Sequence, residues 1–250
     1  MSSPIALRFA QDRAYVALDR PDKHNGLTLE MLRGLIDAAH RIDRNTDVRA
    51  VILTGNGPSF SSGLDIAKAT SDPLAIVRAF VPLPWRGTNT FQEACWAWRR
   101  LRVPVIAAVH GRCFGGGLQI ALAADIRFAT PDAEFSVMEA KHGLVPDMTG
   151  AATLSQLIGI DQALLLTMTA DVVDAEYAAR VGLITEVVAD PAAAAEQLAD
   201  RIATRSPHAV AGAKRLFDRS WQASARRTFA RERATQLPLI LRLARGSGKQ

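Results

Sequence analysis

Residues 105–128 read VIAAVHGRCFGGGLQIALAADIRF. The opening Val105-Ile106-Ala107-Ala108-Val109 is wholly apolar, rich in β-branched residues and too short for a free-standing helix, which is the pattern of a buried strand. Gly111 breaks it, Gly115-Gly116-Gly117 follow, and Leu118, Ile120, Ala121 and Leu122 resume with the small or apolar spacing of a buried helix. A second short strand, residues 126–129, comes straight after. Strand, glycine-rich turn and helix start place bare backbone N–H groups at the positive end of a helix dipole. Three consecutive glycines let a ligand approach that backbone without meeting a Cβ. The arrangement suits a phosphate or an oxyanion, but the G-x-G-x-x-G and G-K-[ST] fingerprints are absent. Two readings remain on this stretch alone: an oxyanion cradle, or glycines that only permit close helix–strand packing.

Upstream, residues 5–9 and 14–18 read as a hairpin turned at Gln11-Asp12-Arg13. Thr28 can cap a helix whose Leu29, Leu32, Leu35, Ile36, Ala39 and Ile42 share one face. Residues 50–54 form the next buried strand, and 64–70 a short helix or turn entered through a glycine. Residues 71–92 carry Pro73, Pro82 and Pro84 without a clean period and read as an irregular segment over a site; a helix over 91–101 then leads into the central strand. Downstream come a short strand, turn and helix around 134–142, helical stretches at 149–158, 161–169 and 174–180, and a strand at 184–188. From Pro191 the texture is alanine-rich and helical: 192–204, 207–219, and a helix over 223–245 broken near Pro238, with Gly246-Ser247-Gly248 frayed. The division expected is 1–190 as a core with the site and 191–250 as a helical appendage. No internal repeat is visible in the residues.

The chain has 250 residues, 48% hydrophobic and 22% charged, which fits a globular protein with a sizeable core. No apolar run reaches the roughly 20 residues that span a bilayer. The opening MSSPIALRFAQDR lacks a basic start and a long apolar stretch, and two cysteines, Cys95 and Cys113, are too few for a disulfide framework. A cytoplasmic protein is expected. The net charge of +5 brings no basic run interleaved with aromatics, so a nucleic-acid partner is not expected. The five histidines lack ligand spacing, so no metal is expected. No G-x-S-x-G elbow is present for a serine nucleophile.

The central segment resembles the signature of the crotonase (enoyl-CoA hydratase/isomerase) superfamily. The resemblance runs in order along nearly the whole chain, through residues 18–28 (LDRPDKHNGLT), 50–55 (AVILTG), 60–65 (FSSGLD) and 143–146 (GLVP). It favours the oxyanion cradle. It implies an α/β fold, a spiral of ββα units with a C-terminal all-helical trimerisation region. It also implies an acyl-CoA thioester as substrate, no cofactor beyond that coenzyme, and a homotrimer or dimer of trimers.

By the same resemblance, the oxyanion donors are the N–H groups of Leu64 and Gly116, where two backbone donors can stabilise an enolate oxygen by several kcal/mol. Lys23, His24, Ser62, Gly63, Asp65, Ile66, Gly115 and Gly117 are the implied substrate and CoA contacts. Hydratases of the family carry two glutamates. Here the second matches Glu139, but Gln119 stands at the first, and a glutamine cannot exchange a proton at neutral pH. Gln119 is read as positioning water or substrate, or as a buried group bonded to backbone. Asp147 is the candidate second carboxylate, as in the dienoyl-CoA isomerases, although that branch also has an acid where Gln119 stands. An N-cap for the helix from Thr149 is its compatible alternative. The expectation is double-bond isomerisation by Glu139 with Asp147. Hydration by Glu139 alone and a non-catalytic acyl-CoA-binding protein are the alternatives.

Overall fold

The computed structural model describes residues 3–247; Gly248, expected to fray, lies outside them. The hairpin forms as β1 (Ile5–Ala10) and β2 (Arg13–Leu18). Helix α1 (Leu29–Arg44) is capped by the Thr28 side chain, which accepts from the Met31 N–H, and buries Leu32, Leu35, Ala39 and Ile42. Strand β3 (Ala50–Gly55) is followed by two short helices, α2 (Ile66–Ser71) and α3 (Pro73–Ala79), and by α4 (Thr90–Arg100). The central segment folds as β4 (Val105–Val109), β5 (Arg112–Phe114) and α5 (Gly116–Leu122). Strands β6 (Ile126–Ala129) and β7 (Glu134–Ser136) lead into a 3₁₀ turn, Met138–His142. Helices α6 (Gly150–Leu157) and α7 (Ile160–Thr169), strand β8 (Val173–Asp174), α8 (Ala175–Val181) and β9 (Glu186–Val187) complete this part. Three helices follow: α9 (Pro191–Ala203), α10 (Pro207–Ser220) and α11 (Ala225–Ser247).

The strands divide between two sheets. One runs β1-β2-β3-β4-β6-β9, parallel except for the first pair; the other runs β5-β7-β8. The chain visits them alternately, β4 then β5, β6 then β7, with a helical turn after each visit. The turn before these follows the same course: after β3, Ser61 bridges to Cys113 of β5, and Cys113 pairs with Phe135 of β7. These are successive turns of a ββα spiral. Their repeat lies in the backbone, since each turn must only bury one apolar strand and enter a helix.

Three expectations are corrected. Residues 71–92 are not irregular throughout, because Asp72 accepts from the Ala75 N–H and Pro73 sits in the first turn, which together start α3. Helix α11 runs through Pro238 without a break. On α10, a Cβ at Gly212 would lie 3.1 Å from Thr235 Cγ2 and 3.8 Å from Leu239 Cδ1, so α10 packs on α11 on both sides of that proline. Strand β5, inside what reads as a turn, was not expected; Arg112 and Phe114 flank a buried Cys113 in a three-residue strand too short to show alternation.

Helix α9 is a layer of the large sheet. Ala195 and Ala199 are buried against Ala50, Ile52, Ile106 and Phe128 on the face away from the main core. In the main core Trp98, Phe60 and Phe135 are the largest fully buried side chains. Glu93, buried in α4, accepts from Thr88 Oγ1 at 2.6 Å and pairs with Arg86 and Arg100. Burial works to raise its pKa, yet the hydrogen bonds from Thr88 and Arg86 and the charge of Arg100 hold it below the usual glutamate range.

Two outcomes follow from this packing. Replacing Ala199 by Leu overpacks the α9–sheet contact and costs about 1–3 kcal/mol by urea unfolding, whereas Ala193→Leu on the exposed face of α9 stays within about 0.5 kcal/mol. Equal effects would mean that α9 is not part of the core. A carboxylate with a lowered folded pKa contributes stability above its unfolded value and loses it as pH falls. Glu93→Gln therefore lowers Tm at pH 7, and the gap to the unsubstituted protein closes as pH drops below the ordinary 4.5.

Candidate active site

Leu64, Gly116 and Glu139 follow the aligned residues Ser61, Cys113 and Phe135 by three, three and four positions, so successive spiral turns deliver them to one place. The first two turns are stitched together. Ser61 N–H donates to the Arg112 carbonyl at 2.9 Å and Phe114 N–H to the Ser61 carbonyl at 3.0 Å. Gly63 takes φ +91°, and a Cβ there would meet the Phe114 carbonyl oxygen at 2.9 Å. Only glycine allows that approach. The flanking amides are engaged: Leu27 N–H donates to the Gly63 carbonyl at 2.7 Å, Asp65 N–H to the Leu27 carbonyl at 2.9 Å, and Gly115 N–H to the Ser136 carbonyl at 2.9 Å. Among the described residues, neither the Leu64 nor the Gly116 amide has a backbone acceptor.

Both residues line a cavity of about 680 Å³. Its floor is Ser62, Gly63, Gly115 and Gly116; one wall is Pro73, Ile76, Val77 and Phe80 of and beside α3, and another is Met138, Leu144, Val145 and Met148. The cavity is mostly apolar. Its ionisable side chains are Glu139, His142 and Asp147, all from the strand–turn that follows β7.

Glu139 is 9% exposed. Its Oε1 accepts from Gln119 Nε2 at 2.6 Å, while its Oε2 has no partner among the described residues. Burial pushes the carboxyl above the ordinary glutamate range, against the pull of its own backbone N–H and of Gln119; the Asp147 charge adds to the rise and His142 opposes it. Burial likewise raises Asp147, which its own backbone N–H partly offsets.

Gln119 does not line the cavity. It stands behind Glu139, 2% exposed, with its Oε1 accepting from the Met148 N–H at 2.9 Å and the Gly150 N–H at 2.8 Å. The expectation that it positions water or substrate is therefore corrected to contact with Glu139 and backbone. Asp147 is not an N-cap: α6 starts at Gly150 from Thr149, without a side-chain cap, and Thr149 turns the chain at φ +73°. The Asp147 side chain is left for the cavity.

The expected contacts divide. Ser62, Gly63, Leu64, Ile66, Gly115, Gly116, Glu139 and Asp147 line the cavity, whereas Lys23, His24, Asp65 and Gly117 do not. Asp65 caps α2 and pairs with Arg20 at 3.2 Å. His24 Nδ1 lies 3.0 Å from Ser59 Oγ. Lys23 is exposed on the turn before Asn25. Gly117 is a packing glycine, since its Cβ would sit 2.5 Å from Ser61 Cβ. Residues 71–92 do lie over the site as expected, but through a regular element: Pro73, Ile76, Val77 and Phe80 stand at i, i+3, i+4 and i+7, one helix face. Among the described residues no cluster of His, Cys, Asp or Glu has metal-site geometry, and no helix is long and apolar enough to cross a membrane.

Comparison with known proteins gives the context. The enoyl-CoA hydratase/isomerase family model matches residues 9–240. The mouse mitochondrial Δ(3,5)-Δ(2,4)-dienoyl-CoA isomerase is 35% identical over 209 residues, 80% of this chain and 64% of that protein, so the match spans less than two thirds of its length. The short-chain-enoyl-CoA hydratase of Clostridium acetobutylicum is 35% identical over 213 residues, 84% of this chain and 78% of that one. Among solved structures, a Thermobifida fusca protein of enoyl-CoA hydratase type, in complex with CoA, superposes with a TM-score of 0.86 at 31% identity, covering 97% of this chain and 95% of that one. With a family model over nearly its full length, relatives above 30% identity and the same spiral, the chain belongs to the enoyl-CoA hydratase/isomerase family of the crotonase superfamily.

Proposed function

We propose that this protein moves a double bond along an acyl group held as a CoA thioester, through an enolate bound by the Leu64 and Gly116 amides. The observation that carries the reading is the buried Glu139 Oε2, without a partner among the described residues, on a residue that lines one cavity with Leu64, Gly116 and Asp147. Glu139 Oε2 takes a proton from an acidified carbon of the acyl chain. The C–H electron pair moves into the conjugated thioester, and its carbonyl oxygen becomes an enolate oxygen that accepts two N–H bonds. When the enolate collapses, a protonated Asp147 returns a proton at a carbon further along, and the double bond has shifted. Burial raises the pKa of both carboxyls, which favours their protonated forms.

The relatives named dienoyl-CoA isomerases support this reading. Those named hydratases favour the second one, in which Glu139 alone activates water. A non-catalytic acyl-CoA-binding protein is a third, and Glu139 and Asp147 in one cavity speak against it. The reading includes no cofactor beyond the substrate's CoA and a cytoplasmic location. It also includes a homotrimer or dimer of trimers, for which exposed Ile160, Leu164, Leu165 and Met168 on α7 offer an apolar surface.

Purified protein is to be assayed on 3-enoyl- and 3,5-dienoyl-CoA beside crotonyl-CoA. Isomerisation is expected to exceed hydration, and Glu139→Gln and Asp147→Asn are each expected to lower it by about 10²–10⁴-fold. Hydration that survives Asp147→Asn and dies with Glu139→Gln establishes the second reading, and tight thioester binding without turnover establishes the third. Stability should move the other way. A carboxyl with a raised folded pKa favours folding at low pH and opposes it as pH rises past the unfolded value. Glu139→Gln is thus expected to raise Tm at pH 7 and to change it less at pH 4. An unchanged Tm at pH 7 would mean that the buried carboxylate carries no strain.

A further inference from the structure

We infer that Gln119 is a positioning residue that brackets the two carboxylates, holding Glu139 by one oxygen and the Asp147 turn by its backbone. This rests on the proposed roles of Glu139 and Asp147 and adds what sets their geometry. The Gln119 amide is used from both ends. Its nitrogen donates to Glu139 Oε1 at 2.6 Å, and its oxygen accepts from the Met148 and Gly150 N–H groups at 2.9 and 2.8 Å. Those two residues flank Thr149, a β-branched residue at φ +73°, a conformation that needs its surroundings to hold it. The space around the bracket is closed: a Cβ at Gly150 would lie 2.6 Å from Gln119 Oε1, so a side chain there would displace the amide.

The consequences are chemical. A neutral amide spends one carboxylate oxygen of Glu139 as an acceptor and leaves Oε2 as the oxygen that can take a proton from substrate. It also ties the Glu139 turn to the Asp147 turn across a single side chain, so neither carboxylate drifts alone. A carboxylate in place of Gln119 would need a proton to donate to Glu139, and when ionised would set two like charges within hydrogen-bond distance. The groups that act on Glu139 are Gln119 from α5, Asp147 across the cavity and His142 on its own turn; Glu139 in turn acts on the buried thiol of Cys95 in α4.

The test uses Gln119→Met, which keeps length without donor or acceptor, and Gln119→Glu, which keeps shape and titrates. In the Met variant the Glu139 carboxyl, followed by ¹³C NMR in the ligand-free protein, is expected to titrate at higher pH than in the parent. Its kcat should fall by roughly 10–100-fold, as for a misplaced catalytic group, with KM within about twofold. The Glu variant is expected to approach parental activity at low pH and to lose it as pH rises. An unchanged Glu139 titration and kcat in the Met variant would overturn the inference, as would a Glu variant whose activity relative to the parent is flat with pH. If the Met variant fails to fold, the Glu variant decides. If the parent protein turns over none of the thioesters, the proposed function fails, while the carboxyl titration still settles whether Gln119 holds Glu139.

Discussion

The Phe114 carbonyl oxygen lies 2.9 Å from the point where residue 63 would carry a Cβ, and the Ser61 side chain lies 2.5 Å from the corresponding point on residue 117. Two turns of backbone from different parts of the chain therefore meet with nothing between them. Everything else at the site depends on that contact. It brings Leu64 and Gly116 to one cavity, each at the entry to a helical turn and, among the described residues, neither amide with a backbone acceptor. Amides fixed by folding need no reorganisation when charge develops on an oxygen between them, which is the source of their worth in a dry cavity.

The spiral explains why a small set of backbone positions suffices. Each turn places a short strand on one sheet, a second on the other and a helical turn after it, and the strands β5 and β7 with Ser61 fix the register between turns. Three positions in equivalent places then converge on one cavity. The large sheet behind them is covered on its far face by α9 through small alanines, while α3 and the turn after β7 wall the cavity with apolar residues. Backbone supplies the amides, and apolar side chains supply the walls.

Much of this was legible in the sequence, for identifiable reasons. The run at 105–109 announces a buried strand, the Thr28 cap and the Leu32–Leu35–Ala39–Ile42 face announce α1, and the glycine triplet announces a helix entry. What was hidden was short or non-local. Strand β5 is three residues long, and α3 shows its apolar face only through four residues set among prolines. Pro238 reads as a break because the packing of α10 on both sides of it cannot be seen locally. The cap alternative for Asp147 stays open in the sequence because the left-handed turn at Thr149 has no sequence signal in a β-branched residue. Gln119 reads as positioning water or substrate or as a buried group bonded to backbone; the second holds, and the fold adds that its amide joins Glu139 to the backbone at Met148 and Gly150.

The central claim is that a thioester carbonyl sits between the Leu64 and Gly116 amides. Difference infrared spectroscopy of a saturated acyl-CoA, unlabelled and ¹³C-labelled at the carbonyl, bound to the purified protein addresses it directly. Two preorganised donors polarise the C=O bond, so the account predicts a carbonyl stretch shifted well below its position in water. A stretch at or above the value in water, in a complex shown to be saturated, would contradict it.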